Sequence, residues 1–505
     1  MTILFLALLT VAASISPLAT FAALWQIKEW RTDRLREHLR SEGILRQLFG
    51  IARPATIAMF GIAGSLHIIP QHEWPSVTLA ALLTVAALQL ILRRHPHPVW
   101  TKKAQALFIT SMLLTFLAAL TTNMYTLPLL PLLQPFFLLV ALLLWSPVDT
   151  LLKNRVMQRA RTVRNGRPEL TVIGITGSVG KTTTKELLAH ILKEQNILFT
   201  PEHINTEMGV SQWFGQALLS HPEVEVVVVE MGAYRSGEIA LLCSIVQPTL
   251  GVVSFIGRQH IGLFGSQESL CSAKAELLDA LPKTGHAFMN ADSSLCREII
   301  AHAACPVTMV GTGGHADMEA FDIEETSHGL QFRIGDTACF VPMHGTHNIT
   351  NILLAVAVAE HLGISRERIA ERLRSYRPAQ HTFSVREESG ITILDDTHNT
   401  SPTSFKAAIA WAKIQPFEHK VLLTSGLMEL GEEQDRAHAE LGTLAAGIFH
   451  RVIFLNRKNA RPFARGYGQS VELPRKGGKI PSVQQDTLLV CVGRMPEHVI
   501  QSLLP

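Results

Sequence analysis

The sequence predicts a multi-span α-helical membrane region followed by α/β domains, and three observations predict it. The first 150 of 505 residues hold long uncharged apolar runs. At "TVIGITGSVGKTTTKELLAHIL" (Thr171 to Leu192) a β-branched run, a glycine turn and a helical apolar pattern follow one another, which reads as strand, loop, helix. Two further strand-like runs, "VEVVVVE" and "TLGVVSFIG", come next.

The length suggests about three domains. Apolar residues make up 47% and charged residues 17%, an imbalance concentrated at the N-terminus. Lys and Arg number 45 against 42 Asp and Glu, a net +3 that gives no reason to expect a nucleic-acid partner. The six cysteines (Cys243, Cys271, Cys296, Cys305, Cys339, Cys491) form no CxxC pair or zinc-like spacing, so they read as core thiols in a reducing compartment.

Met1 to Ile27 and Pro75 to Leu92 carry no charge, and Pro54 to Pro70 is apolar but contains His67. Ala104 to Val148 is uncharged and is split in two by the Pro-bearing "TTNMYTLPLLP". With ~20 apolar residues needed per crossing, about five spans are expected in a region 1–150. A cleaved signal peptide is the competing reading of the first run; it lacks a basic n-region and would leave the other runs unexplained. Basic residues lie in alternate connections: "KEWRTDRLREHLR", the Arg93, Arg94, Lys102 and Lys103 group, and "KNRVMQRARTVRNGR". The positive-inside rule then puts the N-terminus outside and everything after Lys153 in the cytoplasm, an inner-membrane multi-pass arrangement. The helical stretch Lys28 to Arg46 admits two readings, a solvated topology signal or a holder of anionic headgroups or a lipid-linked phosphate.

In the glycine loop, backbone N–H groups and the positive end of the helix suit phosphate. Lys181 is placed to neutralise β/γ oxygens and Thr182 to ligate Mg²⁺. The general Walker spacing is not met, because it would need glycine at Ile175; what stands here is T-G-x-x-G-K-T-T. That shorter loop resembles the Mur ligase superfamily. So do "NTEMGVSQW" (less rich in Asn than the family version), "EMGA…GEI", "QHIGLFGS", "AKAE", "MNADSS", "HGTHNITNILLAVAVAEHLGI", "ILDDTHNTSPTSFKAAI" and "GLMELGEEQDRAHAELG". Their order resembles the MurF-type branch, over about residue 170 to the end. The basic run after the last span reads as a juxtamembrane linker at 151–169, and the resemblance implies a P-loop Mur ligase central domain at 170–364 and a Rossmann-like α/β C-terminal domain at 365–505.

It also implies an ATP-dependent amide ligase of cell-wall precursor synthesis, in which a substrate carboxylate takes the γ-phosphoryl group and an amine then displaces phosphate. The expected addition is D-Ala-D-Ala to a muramoyl-peptide. The cofactors implied are ATP and Mg²⁺; the partners are a precursor carboxylate, an amino acid or dipeptide amine, and membrane lipid. By resemblance, Thr176, Gly177, Ser178, Val179, Gly180, Lys181, Thr182 and Thr183 hold the nucleotide phosphates. Asn290 faces adenine, His347 and Asn348 stand near base or ribose, and Asp396 lies near the nucleotide across the domain cleft. Glu230 and His260, each following a strand, join Thr182 as Mg²⁺ ligands. Lys274, if carbamylated, holds a second Mg²⁺; its bland alternative is a helix-face Lys. Lys181, His260 and Lys274 form the catalytic set.

Two departures stand out. Where the family usually has an Arg reaching ATP phosphate, this chain has His381, so a protonated His381, Arg377 or Arg386 would have to serve. Where soluble members carry a UDP-recognising domain, this chain has apolar spans. Open alternatives are therefore a ligase for another amino acid or amine, a lipid-linked (polyprenyl-phosphate) donor, and, in another class, an ATP-driven transporter or nucleotide-gated scaffold.

Overall fold

A computed structural model describes residues 2–91, 97–257, 264, 266–326, 328–378, 383–397, 401–427, 433–474 and 481–505. The chain divides into two compact units, Met1–Asn154 and Arg155–Pro505.

The first unit is helical: α1 (Thr2–Ile27), α2 (Thr32–Glu42), α3 (Ile44–Phe49), α4 (Ala52–Ser65), α5 (Trp74–Ile91), α6 (Lys102–Thr121), a 3₁₀ helix (Met124–Leu133) and the first part of α7 (Gln134–Asn165). Small residues of α1 (Ala7, Ala13, Ser14, Ala22) and of α6 (Ala104, Ser111, Thr115, Ala119) are buried, which lets the two helices pack closely. Their hydroxyls bond within the helix, as Ser14 to the Thr10 carbonyl and Thr115 to that of Ser111, so burial leaves them satisfied. Large apolar side chains point outward instead, among them Phe5, Leu8, Leu113, Leu117 and Leu143. Among the described residues three stretches are long and apolar enough to cross a membrane: Ile3–Ile27, Lys102–Thr121 and Met124–Asn165, against the five expected. Trp74–Gln89 is a shorter apolar helix, and α4, at 14 residues, measures ~21 Å against a ~30 Å hydrocarbon core. The Pro-bearing break at "TTNMYTLPLLP" falls where α6 ends and the 3₁₀ helix runs.

The stretch 151–169, read as a linker, is helical as far as Asn165. From Arg155 it belongs to the second unit, because Met157, Ala160 and Val163 form one apolar face in that unit's core. Arg164 locks the end of α7 down by donating to the carbonyls of Val246, Arg167, Leu170 and Gln247.

The central sheet has the order β2-β3-β1-β4-β5-β6-β7-β8-β9. Its strands are β1 (Thr171–Thr176), β2 (Ile197–Phe199), β3 (Val226–Glu230), β4 (Leu250–Val253), β5 (His286–Asn290), β6 (Val307–Gly311), β7 (Met318–Thr326), β8 (Gly329–Ile334) and β9 (Thr337–Val341). Pairing is parallel from β2 to β7 and antiparallel in the β7–β9 meander. The run "VVVV" of β3 shows why the sheet is covered on both sides. Val227 and Val229 face a core with α9 (Glu207–Ser220), α10 (Glu238–Val246) and α11 (Gln267–Asp279), and α12 (Ser294–Glu298) joins that side. Val226 and Val228 face α8 (Lys181–Ile191), α13 (Ile349–His361) and α14 (Arg366–Leu373).

The second core also takes in Ile369, Ala370, Leu373 and Tyr376, so the central domain's packing runs on past 364. The C-terminal sheet starts at β10 (Ser384–Glu388), followed by β11 (Ile391–Asp396), α15 (Pro402–Ile414), β12 (His419–Thr424), α16 (Gln434–Ala445), β13 (Arg451–Phe454), α17 (Arg457–Tyr467), β14 (Thr487–Val492) and α18 (Glu497–Gln501). Its order is β10-β11-β14-β12-β13, parallel except for β10, with apolar clusters on both faces. All six cysteines are buried and unpaired, as core thiols should be.

Helices α16 and α17 cross through glycines. A Cβ on Gly442 would lie 2.1 Å from the Phe463 carbonyl oxygen, and one on Gly466 1.9 Å from that of Ala439. Gly442→Ala or Gly466→Ala should therefore force the pair apart and cost ~1–3 kcal/mol or more. A thermal melt should show a clear fall in Tm for each; unchanged melting would contradict this packing.

Candidate nucleotide and metal site

The loop after β1 is built for close approach of backbone. Gly177 has φ +148° and a Cβ there would lie 2.1 Å from Ser254 Oγ; Gly180 has φ +86° and its Cβ would lie 2.2 Å from Asn351 Oδ1. Any side chain would both strain the loop and fill the space it encloses. The end of β4 pins the loop from outside, with Ser178 N donating to the Phe255 carbonyl at 2.6 Å and Ser254 Oγ to the Val179 carbonyl at 2.6 Å. Thr176 Oγ1 donates to the Met231 carbonyl at 3.1 Å. Lys181, at the first position of α8, folds back so that Nζ donates to the carbonyls of Gly177 at 2.9 Å and Ser178 at 3.3 Å. Thr183 follows on the same first turn.

Glu230 ends β3 beside β1, where strand ends of an open α/β sheet receive ligands. It is 5% exposed, and Thr182 Oγ1 donates to its Oε2 at 3.0 Å. Asn205 Nδ2 donates to Oε1 at 3.3 Å, and Lys185 Nζ stands 3.3 Å from Oε2. Burial alone pushes this carboxyl upward; Lys181, Lys185 and the two hydrogen bonds outweigh it and hold the group below the usual carboxylate range. Burial likewise lowers the Lys181 ammonium, against the pull of Glu230.

Lys274 lies on α11, 3% exposed, with Nζ 5.9 Å from the centre of the Phe264 ring. Burial, with the Lys181 charge in support, brings its pKa down to about 7. A helix-face Lys paired with acids would be held charged; burial weakens the hold on the proton here.

On the far side of the loop one of the expected base-side residues, Asn348, belongs to a polar chain. Thr184 Oγ1 meets Asn351 Oδ1 at 3.5 Å, Asn351 Nδ2 donates to Asn348 Oδ1 at 3.1 Å, and Asn348 Nδ2 donates to the His344 carbonyl at 2.9 Å. His344 Nδ1 accepts from Trp411 Nε1 of the C-terminal domain at 3.2 Å, so that nitrogen carries no proton, and its 3.7 Å approach to Glu325 is no ion pair. His347 Nδ1 is buried with no hydrogen-bond partner among the described residues, its ring set edge-on to Phe383. Burial lowers its pKa to about 4, so the ring is neutral. Asn290, at the end of β5, accepts from Asp292 N at 2.8 Å.

Asp396 ends β11 and accepts from Ser404 Oγ, while its neighbour Asp395 accepts from Arg386 Nη1 at 2.6 Å. Arg386 also donates to Glu497 at 2.7 Å. A third carboxylate, that of Glu388, stands 3.5 Å from Arg386 Nε. His260 and His381 lie outside the described residues.

Lys185, Asn205, Ser254 and Asn351 belong to the site beyond the residues expected. Lys185 alone had a usable signal, its i+4 spacing from Lys181 on one helix face.

The residues present fit a nucleotide and a hard cation. The two loop glycines keep clear a cradle that a Cβ would fill, and the Thr182 hydroxyl beside a buried, ionised Glu230 is an oxygen pair of the kind Mg²⁺ takes. Among the described residues no cluster of three or more His, Cys, Asp or Glu forms a ready-made metal site.

Fold and loop together define a P-loop nucleotide-binding protein. Residues 175–359 match the Mur ligase middle domain. The chain is 30% identical over 347 residues to the Escherichia coli K12 UDP-N-acetylmuramoyl-tripeptide–D-alanyl-D-alanine ligase, covering 65% of this chain and 76% of that one. It is 32% identical over 279 residues to the Bacillus subtilis enzyme of the same name, covering 54% of this chain and 60% of that one. The structure is similar to MurF from Acinetobacter baumannii (TM-score 0.63, 26% identity, 70% of this chain and 80% of that one). It is also similar to Thermotoga maritima MurF in complex with ADP (TM-score 0.60, 25% identity, 69% and 82%). The chain belongs to the Mur ligase family. It spans 60% of the length of the Bacillus relative and 57% of a Mycobacterium tuberculosis one.

Lys185→Met removes one of the two ammonium groups that keep Glu230 ionised. A one-sided break of a buried pair costs ~3–5 kcal/mol, so Tm should fall by several degrees at pH 8. Because the Glu230 pKa is depressed on folding, its stabilisation is present above the unfolded value of ~4.3 and is lost as pH falls through the folded one. The gap between variant and wild type should therefore narrow toward pH 4; a gap independent of pH would contradict the assignment.

Proposed function

We propose that this chain is an ATP-dependent acid–amine ligase of peptidoglycan precursor synthesis, joining D-Ala-D-Ala to the carboxylate of a muramoyl-tripeptide. The observation that carries it is the glycine-walled loop with Lys181 and Thr182 set against the buried, ionised Glu230. The names of the matched relatives supply the substrates. A carboxylate oxygen of the donor bonds to the γ-phosphorus as the bond to the departing ADP breaks. The amine nitrogen then bonds to the acyl carbon as phosphate leaves, and the amine's proton passes to solvent.

In this reading the residues from Thr176 to Thr183 position the phosphates, and Lys181 swings from the loop carbonyls to the oxygen charge that grows in transfer. Thr182, Glu230 and His260 would hold Mg²⁺, which supplies Lewis-acid neutralisation of the phosphate oxygens. Asn290, His347 and Asn348 line the base and ribose side, with the unprotonated ring of His347 offering its free Nδ1. Asp396 and His381 act from the C-terminal domain. Lys274, whose neutral amine burial favours, can add to CO₂, the N–C bond forming as a C=O π pair moves to oxygen and the amine's proton passes to solvent, and the carbamate would offer a second Mg²⁺ an oxygen ligand.

The Met1–Asn154 unit would lie in the cell membrane, N-terminus outside, with the ligase domains cytoplasmic. Its outward apolar side chains and the basic residues of alternate connections support that placement. A reporter fused after Pro505 should be active on the cytoplasmic side; activity on the external side alone would reverse the topology. The same placement favours a second reading of the donor, since a polyprenyl-linked carboxylate is confined to the bilayer where these helices would hold the enzyme.

Phosphate release should require both a muramoyl-tripeptide donor and D-Ala-D-Ala, and the higher rate with a UDP-linked or a polyprenyl-linked donor identifies the carrier. Release indifferent to both substrates would overturn the ligase reading. Lys274→Ala should cut turnover ~100-fold, in line with loss of one group that stabilises developing charge. Added acetate should restore part of it, and ¹³C-bicarbonate should give a carbamate NMR signal in the wild type only. A silent substitution would return Lys274 to the helix face.

A further inference from the structure

We infer that Arg53, with Ser16 and Gln89, forms a binding site for the phosphate of a phosphate-headed lipid in the groove between α1, α4 and α5; this rests on the membrane placement above. Arg53 sits in the first turn of α4, and its Nη2 donates to Ser16 Oγ at 3.3 Å and to Gln89 Oε1 at 3.3 Å. Among the described residues these two neutral oxygens are its acceptors, no carboxylate pairs with it, and the N–H groups of Nε and Nη1 have no partner.

Arg53 is the second residue of α4, which follows the basic stretch 28–46, and Gln89 lies in the last turn of α5, just ahead of Arg93 and Arg94 in the sequence. In the topology above, the guanidinium therefore stands at the cytoplasmic end of the helices, at the level where lipid phosphates lie. A cation held beside the hydrocarbon core is costly unless paired. Among the described residues the polar groups buried nearby in α1 and α5 are Thr10, Ser14 and Thr78, all hydroxyls, so an anion supplied by the lipid would complete the site.

The geometry also lets it arrive. At ~21 Å, α4 is shorter than the core, so the headgroup layer is drawn inward beside it. Its position is fixed, because Trp74 Nε1 donates to the Phe60 carbonyl at 2.7 Å and Gly64 leaves room for the Trp74 ring. A guanidinium with its Nε and Nη1 donors open suits phosphate oxygens better than any neutral headgroup.

The test uses full-length protein in nanodiscs of phosphatidylcholine doped with either phosphatidylglycerol or a polyprenyl phosphate, read by native mass spectrometry. Wild type should retain the phosphate lipid, and Arg53→Gln should reduce retention at least tenfold with Arg53→Lys in between. Preference for the polyprenyl phosphate would name a lipid-linked substrate or carrier as the source, and equal retention an annular headgroup; both support the site. Retention unchanged in Arg53→Gln, or free polyprenol bound as well as its phosphate, would overturn it. Should Arg53→Gln not fold, a photoreactive polyprenyl phosphate on the wild type should label α4 and α5; labelling confined to 28–46 would overturn it. Release of the chain from membranes by alkaline carbonate would instead refute the membrane placement, which separates the two failures.

Discussion

A carboxylate buried at the end of a central strand is the constraint on which the nucleotide site depends. Glu230 is held ionised by two ammonium groups and two hydrogen bonds, whose donors come from two successive turns of α8 and from the segment before α9. Lys181 and Thr182 open the helix, Lys185 lies one turn on, and Asn205 precedes α9. Remove the charge balance and the carboxyl would take a proton, since burial alone drives it that way. The same group that a cation would bind is thus the one that ties the start of α8 to the end of β3.

From this centre a line of side chains runs to the C-terminal domain through Thr184, Asn351, Asn348, His344 and Trp411. Gly180 is squeezed against Asn351 in that line, so the glycine loop and the domain contact share one packing constraint. His347, neutral and with an unmet ring nitrogen, sits beside Phe383 just before β10. The unmet nitrogen is a cost of ~1–3 kcal/mol that a hydrogen-bonding ligand would remove.

The loop and Glu230 were legible in the sequence because both are written locally, one as a glycine turn between strand and helix, the other as a charge ending an apolar run. Lys185 shares a helix face with Lys181 by its i+4 spacing, but a Lys in a helical pattern reads as solvated until the sheet beneath it is known. Asn351 was illegible for another reason: its contact with Gly180 joins residues that only the fold brings together. The basic composition of 151–169 hid the apolar face made by Met157, Ala160 and Val163, and "RERIAERL" gave no hint that α14 packs on the central sheet. Charge-free runs identified the helices of the first unit, of which three stretches among the described residues are long and apolar enough to cross; composition does not report where a helix ends. Arg53 escaped notice as a boundary residue; only its bonds to Ser16 and Gln89 place it among the helices.

The central claim, that Glu230 and Thr182 hold the cation that accompanies a nucleotide on the loop, is tested most directly by calorimetry of ATP binding with and without Mg²⁺. Wild type should bind ATP more tightly when Mg²⁺ is present. Glu230→Gln should keep the Mg²⁺-free affinity and lose the increment. An increment of full size in that variant would contradict the account.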